Sequence, residues 1–259
     1  MGISSNIILV NLHIIGVQKA GTTALSSFLN QHPDIYLVDG KEAHVFDHLL
    51  YSQQSNKQEF ATQLYQTKLS KYQNQSIICD ATPITIFRPA FIKSCYQFNP
   101  KAKFIVVLRD PVDRAVSQYY MELARSYEHR SMLTAFLLEA FRLRGINQPP
   151  SWDIDSPFRT HSYLSRGRYS KQLKSLYAVV PKNQVLVLQQ DALKNQHKET
   201  MHKVFEFLDL PPHDIPTKQV FVSEKQTPSM NELLARIYAR LYYLCHRETP
   251  KNWQKVIDA

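Results

Sequence analysis

Residues 14–25 read IIGVQKAGTTAL. An apolar run enters a loop in which Gly16 and Gly21 are separated by four residues, and a helix-forming stretch follows. Successive backbone N–H groups in such a turn, opening onto a helix N-terminus, make an anion cradle. Thr22 and Thr23 add hydroxyl donors for a phosphate. Lys19, inside the loop, can reach a second anionic group or a leaving oxygen. A nucleoside triphosphatase has Lys and then Ser or Thr directly after the second glycine; here two threonines follow Gly21. A magnesium-using triphosphatase also wants an acidic residue ending a second strand. Asp80 in IICDAT meets that description, so a kinase or nucleotide hydrolase stays open.

Two further segments concentrate polar chemistry. In VVLRDPVDRAVSQYY, Arg109 ends an apolar run, the edge of an open α/β sheet where ligands bind. Its guanidinium offers a planar donor fork for a phosphate. Ser117 follows about two helical turns later, and Arg114 and Ser117 share a helix face at i, i+3. The bland alternative pairs Arg109 with Asp110 or Asp113. In DGKEAHVFDH, Lys41, Glu42, His44 and Asp47 place acid, base and cation in one short stretch. A carboxylate or imidazole there can accept a proton from an attacking hydroxyl. The bland alternative is a solvated turn anchored by Phe46.

These residues need a scaffold, and the hydrophobic pattern predicts one. Apolar runs alternate with amphipathic ones, which argues for a parallel sheet flanked by helices. NIILVNLHIIGV, SIICDAT, AKFIVVLRD and QVLVLQQ read as strands. TTALSSFLNQH reads as a helix capped by Thr22. DPVDRAVSQYYMELAR starts a helix with Asp110 as cap and Pro111 in the first turn. SYLSRGRYSKQLKSLYAVV contains a helix broken by Pro181, KETMHKVFEFLDL is a helix stopped by Pro211 and Pro212, and SMNELLARIYARLYYLC closes the chain. Segment 145–160, rich in Pro, Asp and Ser, is the best linker or lid.

The 259 residues, 44% of them hydrophobic, suffice for one large α/β domain or two small ones. The formal charge of +9 suits an anionic ligand or acceptor, or equally a generally basic surface. The cations are dispersed, with no arginine-rich tract and no aromatic RNA-binding signature, so no nucleic-acid partner is expected. Three cysteines without a CxxC pair suggest reduced thiols and a cytoplasmic setting. His44 and His48 lack the adjacent Glu of a zinc-protease helix, so no metal is expected. The N-terminal apolar run is too short to span a bilayer, contains Asn11 and His13, and reads as a buried first strand, so no transmembrane segment is expected.

Taken together, the three segments resemble the sulfotransferases that use 3′-phosphoadenylyl sulfate (PAPS), most of all the heparan sulfate branch and related bacterial enzymes. GVQKAGTTAL resembles that family's 5′-phosphosulfate loop, and VVLRDPVDRAVSQYY its 3′-phosphate segment R-[DN]-P-x-x-R-x-x-S. KEAHVFD resembles the K-E-x-H-F-F-D segment of the glucosaminyl enzymes. GRYSKQLKSLYAVVPKNQVLVLQQDAL and VFEFLDL resemble the G-x-Y helix, a strand and the F-L-G-L helix.

The resemblance implies a P-loop-type three-layer α/β sandwich, with a central, mostly parallel sheet flanked by helices. It implies one domain over 1–259, with its core at 7–210 and a helical extension at 211–259. Lys19, Ala20, Gly21, Thr22 and Thr23 would hold the 5′-phosphosulfate. Arg109 and Ser117 would hold the 3′-phosphate, with Tyr169 a further cofactor contact. Glu42 would be the general base, and Lys41, His44 and Asp47 would position base or acceptor, with His44 next in line as base. The expected product is 3′-phosphoadenosine 5′-phosphate (PAP), and the acceptor a small molecule, carbohydrate, lipid or polyketide. The heparan enzymes' late Lys-Gly-Arg loop and late cysteine pair are absent; SEKQTPS offers only Lys225. The resemblance therefore points to a bacterial-type enzyme with another acceptor. The rival outside enzymology is a nucleotide- or polyanion-binding protein without catalysis.

Overall fold

The computed structural model describes residues 9–145, 155–216 and 227–259. Lys225, most of segment 145–160, and residues 6–8 of the expected first strand lie outside them. In chain order the elements begin β1 (Leu12–Gly16), α1 (Thr22–Leu29), β2 (Ile35–Leu37), α2 (Lys57–Gln66), β3 (Ile77–Asp80) and α3 (Pro89–Phe98). Next come β4 (Lys103–Leu108), α4 (Pro111–Ala124), α5 (Met132–Arg142), α6 (Pro157–Thr160), α7 (Tyr169–Tyr177) and β5 (Val185–Gln189). The chain finishes with α8 (Gln190–Asn195), α9 (His197–Leu208), α10 (Met230–Cys245) and α11 (Pro250–Asp258).

The strands form one sheet in the order β2-β3-β1-β4-β5, and each neighbouring pair is parallel. Both faces of such a sheet are covered, which is why KFIVVL reads as a continuous apolar run. Right-handed crossovers decide the layers. The β1–β2 connection runs one way across the sheet, so α1 lies on one face. The β2–β3, β3–β4 and β4–β5 connections run the other way, which puts α2, α3 and α7 opposite. The ring contacts agree. Phe28 of α1 meets His197 of α9 edge-on at 4.5 Å. On the other face Tyr65 of α2 meets Phe98 of α3 at 5.3 Å, and Tyr169 of α7 meets Trp253 of α11 at 4.9 Å.

Two apolar clusters result. The larger encloses the sheet and includes Trp253. The smaller joins α4, α5 and α10 through Val112, Val116, Phe136, Ala239 and Tyr243. Tyr243 explains one glycine: a Cβ on Gly167 would lie 2.2 Å from its hydroxyl, which donates to the Leu164 carbonyl at 3.0 Å.

The expected α/β sandwich with a parallel sheet is present, with differences in detail. β2 has three residues, too few to show a period, and so QVLVLQQ is the fifth strand rather than the fourth. α1 is capped by Gly21 in the left-handed region (φ 94°), not by Thr22. α9 ends at Asp209 (φ 58°), ahead of the two prolines that looked like the stop signal. α10 does not close the chain: Thr249 caps a further helix, α11, through the Asn252 N–H. The three cysteines are free, as expected.

Candidate active site

The carboxyl ends of all five strands border one open cleft of about 1720 Å³. Its centre lies where connections leave β1 and β4 in opposite directions, the switch point at which such sheets bind ligands. The loop after β1 is pinned to β4 by the Val17 N–H donating to the Val107 carbonyl at 2.9 Å. The two loop glycines have different reasons to be glycine. A Cβ on Gly16 would lie 2.3 Å from Ile86 Cγ2, a packing constraint. Gly21 turns the chain through positive φ into α1. No side chain caps α1, so its first N–H groups face the cleft without an internal acceptor from the cap. Lys19, Gly21, Thr22 and Thr23 line the cleft; Ala20 is buried behind them, its N–H donating to the Val17 carbonyl.

Across the switch point, Arg109 donates from Nη1 to the Lys19 carbonyl at 2.9 Å, joining the two loops. α4 starts as expected: Asp110 accepts from the Asp113 N–H at 2.9 Å, and Pro111 sits in the first turn. Ser117 lines the cleft. Arg114 does not share its outlook. It is fully buried, donating to Gln118 Oε1 at 2.9 Å and to the Tyr163 carbonyl. Neither Lys19, Arg109 nor Arg125 lies within ion-pair distance of a carboxylate among the described residues, and all three line the cleft. Burial lowers the Lys19 pKa, and the charges of Arg125 and Arg109 lower it further.

Segment 40–47 forms the opposite wall. Gly40, Lys41 and His44 adopt positive φ of 78°, 72° and 52°. This contorted backbone is held from β3: Ala43 N–H donates to Asp80 Oδ1 at 3.2 Å, and the Ala81 N–H to the Lys41 carbonyl at 3.0 Å. Asp80 is buried and also accepts from Tyr65 at 2.8 Å and Thr82 at 2.6 Å. Its carboxylate is thus committed to the scaffold and is not part of the cleft wall, which removes the residue that kept a magnesium triphosphate site open.

Glu42 lies in the cleft wall with Lys41 Nζ 2.6 Å from Oε1 and His44 Nε2 3.4 Å from Oε2. Burial pushes its carboxyl up, but the His44 hydrogen bond and the Lys41 ammonium outweigh this and hold it below its ordinary range. His44 Nδ1 is 2.8 Å from Asp47 Oδ2. Burial would lower the His44 pKa, but Asp47 and Glu42 dominate and raise it to about 10. The raised pKa favours the imidazolium at neutral pH, and the geometry makes His44 a clasp between two carboxylates, Glu42 and Asp47. Tyr169 lies apart from the other expected site residues. Its side chain is fully buried against Trp253, outside the cleft lining, and its hydroxyl has no hydrogen-bond partner among the described residues.

The family model described as a sulfotransferase domain matches residues 11–257. The chain belongs to the sulfotransferase domain family. Similar proteins include mouse (Mus musculus) heparan sulfate glucosamine 3-O-sulfotransferase 3B1, 30% identical over 200 residues, or 76% of this chain and 45% of that protein. The human (Homo sapiens) heparan sulfate glucosamine 3-O-sulfotransferase 5 is 25% identical over 201 residues, 77% of this chain and 53% of its own. The chain thus spans about half the length of these curated relatives. The crystal structure of a sulfotransferase from Alicyclobacillus acidocaldarius shares the fold, with a TM-score of 0.74 and 22% identity over 97% of both chains.

Two arginines of this sulfotransferase chain have no counterpart in the sequence reading. Arg159, at α6, donates to Asp47 Oδ2 at 2.7 Å and to the Asp47 carbonyl at 3.0 Å. It secures the carboxylate that secures His44. Arg166 is buried and donates to Gln18 in the phosphate loop, to Ser162 Oγ at 2.6 Å and to the Phe158 carbonyl at 3.1 Å. Arg159 stands at the end of the segment read as a loop, and Arg166 in SRGRYS beside the motif glycine. Their ties to the site, Arg159 to Asp47 and Arg166 to Gln18, span more than a hundred residues, so only the tertiary fold reveals these roles.

Proposed function

We propose that this chain transfers a sulfuryl group from PAPS to a hydroxyl or amine of an acceptor, as one domain over 1–259 with a P-loop-type anion cradle. The observation that carries the reading is the gathering of Lys19, Arg109 and Arg125 beside the uncapped N-terminus of α1, with no carboxylate among the described residues within ion-pair distance of them. Such a cluster raises the free energy of the free protein and is relieved by a polyanionic ligand. The fit to PAPS follows from the two loops. Lys19, Thr22, Thr23 and the α1 N–H groups suit a 5′-phosphosulfate, while Arg109 and Ser117 suit a 3′-phosphate. When bound, PAPS supplies the sulfuryl group.

The chain's own groups do the rest. Glu42, ionised at neutral pH, accepts the proton of the acceptor. Lys41 and His44 hold its two oxygens, and Asp47 and Arg159 hold His44. Lys19 and the loop N–H groups offset negative charge growing at the 5′-phosphate oxygen; one such donor contributes roughly 3–4 kcal/mol to the barrier reduction. The heparan sulfate relatives favour a carbohydrate acceptor among the classes considered. The test is an acceptor screen with isotopically labelled PAPS, read by mass spectrometry. A product heavier by one labelled sulfuryl group is expected. Magnesium-dependent ATP turnover with no sulfuryl transfer would replace this reading with a kinase or hydrolase.

A further inference from the structure

The face of α10 turned away from the protein is apolar. Met230, Leu234, Ile237, Leu241 and Leu244 are all exposed, Leu241 by 57%, and their spacing of four, three, four and three residues keeps them on one stripe. The buried side of the same helix is a different set, Glu232, Ala235, Ala239 and Tyr243. The stripe continues onto α5. The Leu133 N–H donates to Asn231 Oδ1 at 3.2 Å, which sets α5 beside the start of α10. One and two turns on from Leu133, Leu137 and Phe141 are exposed, Phe141 by 68%. Exposed apolar area of this extent marks an interaction surface.

Charge selects the partner. The exposed cations bordering the stripe are Arg144, whose guanidinium sits 5.8 Å over the Phe141 ring, together with Arg240 and Arg247. The carboxylates of these two helices, Glu139 and Glu232, are buried. Glu139 accepts from the Leu164 and Ser165 N–H groups, and Glu232 from Tyr120 and Arg236. A second copy packed along this stripe would bring arginine to arginine with no exposed carboxylate on either helix to answer it. A bilayer with anionic headgroups answers both features: apolar side chains enter the acyl boundary while arginines remain at the phosphates. No helix among the described residues is long and apolar enough to cross a membrane, so this is a surface contact.

We propose that the exposed face of α5 and α10 docks on an anionic lipid bilayer. The surface is fixed relative to the cleft, because Arg236 ties α10 to Asp113 of α4 at 2.6 Å. It uses no group assigned to sulfuryl transfer, so either idea can fail alone.

The test is co-sedimentation of the full chain with phosphatidylcholine vesicles, with and without phosphatidylserine. Each arginine at an anionic surface strengthens binding about fivefold, so two engaged arginines predict about 25-fold tighter binding to the phosphatidylserine vesicles, weakening with added salt. The pair Ile237→Glu and Leu241→Glu should abolish sedimentation without changing the far-UV circular dichroism. The pair Arg144→Gln and Arg240→Gln leaves the stripe intact and should erase the lipid preference, which keeps the test decisive if the first variant misfolds. Equal binding to both vesicles, no binding, or binding that survives both variants would overturn the proposal. A dimer in sedimentation equilibrium that the Glu pair dissociates would overturn it in favour of a second copy of the chain.

Discussion

Replacing Arg109 with alanine separates two jobs that the structure gives one side chain. Nη1 donates to the Lys19 carbonyl at 2.9 Å and braces the loop; the rest of the fork is the proposed 3′-phosphate contact. Losing the brace removes one hydrogen bond, worth about 0.5–1.5 kcal/mol, and weakens any 5′-phosphate ligand about 2- to 10-fold. Losing a charge-assisted contact to the 3′-phosphate removes about 1.5–3 kcal/mol more, a further ~10- to 150-fold. Isothermal titration with PAP and with adenosine 5′-phosphate reads the two losses separately, since only PAP carries the 3′-phosphate. Arg109→Ala should weaken PAP by the product of both factors and adenosine 5′-phosphate by the first alone. Arg109→Lys, with its charge but no fork, should fall between wild type and alanine for PAP. Equal losses for the two nucleotides would refute the 3′-phosphate assignment and leave Arg109 a loop brace.

Other outcomes follow from the same geometry. Lys19→Met should raise the melting temperature of the free protein, because burial and the Arg125 and Arg109 charges disfavour the lysine charge in the fold, while removing the stabilisation that PAP confers. Gly167→Ala should lower stability by about 1–3 kcal/mol by urea titration, an overpacking cost, since the added methyl meets the fixed Tyr243 ring. Two pH dependences are expected, an acid limb in transfer and an alkaline limb in stability. The Glu42 carboxyl is held below its ordinary value of 4.5, so activity falls only in stronger acid. The His44 pKa is raised to about 10, so its stabilising contribution is complete below its ordinary value of 6.5 and is lost as pH rises through about 10. His44→Gln should remove the alkaline limb from thermal melts recorded across pH.

The parts of this molecule visible in its sequence are those encoded by neighbouring residues. Asp110 and Pro111 announce α4 because a cap and its helix are adjacent in the chain. KFIVVL announces a buried parallel strand because both of its faces need apolar cover. GVQKAGTT carries its own turn and helix start. Three-residue β2 has no period to read, and the stop at Asp209 depends on a left-handed residue that is not glycine. The site divides in the same way. Lys19, Glu42, Arg109 and Ser117 sit in local motifs and share the cleft. The roles of Arg159 and Arg166 depend on partners 112 and 148 residues away, Asp47 and Gln18. Asp80 misleads for the opposite reason: its place at a strand end suits a metal ligand, and only Tyr65, Thr82 and Ala43 show it to be scaffold.

Glu42→Gln tests the central claim most directly. The amide keeps the size of the side chain and removes the base. With labelled PAPS and the acceptor found by screening, transfer should fall about 10²- to 10⁴-fold, the usual contribution of a general base. PAP affinity, measured on the same protein, should stay close to wild type, because no cofactor contact is assigned to Glu42. Transfer at a near wild-type rate would contradict the account and remove Glu42 as the base.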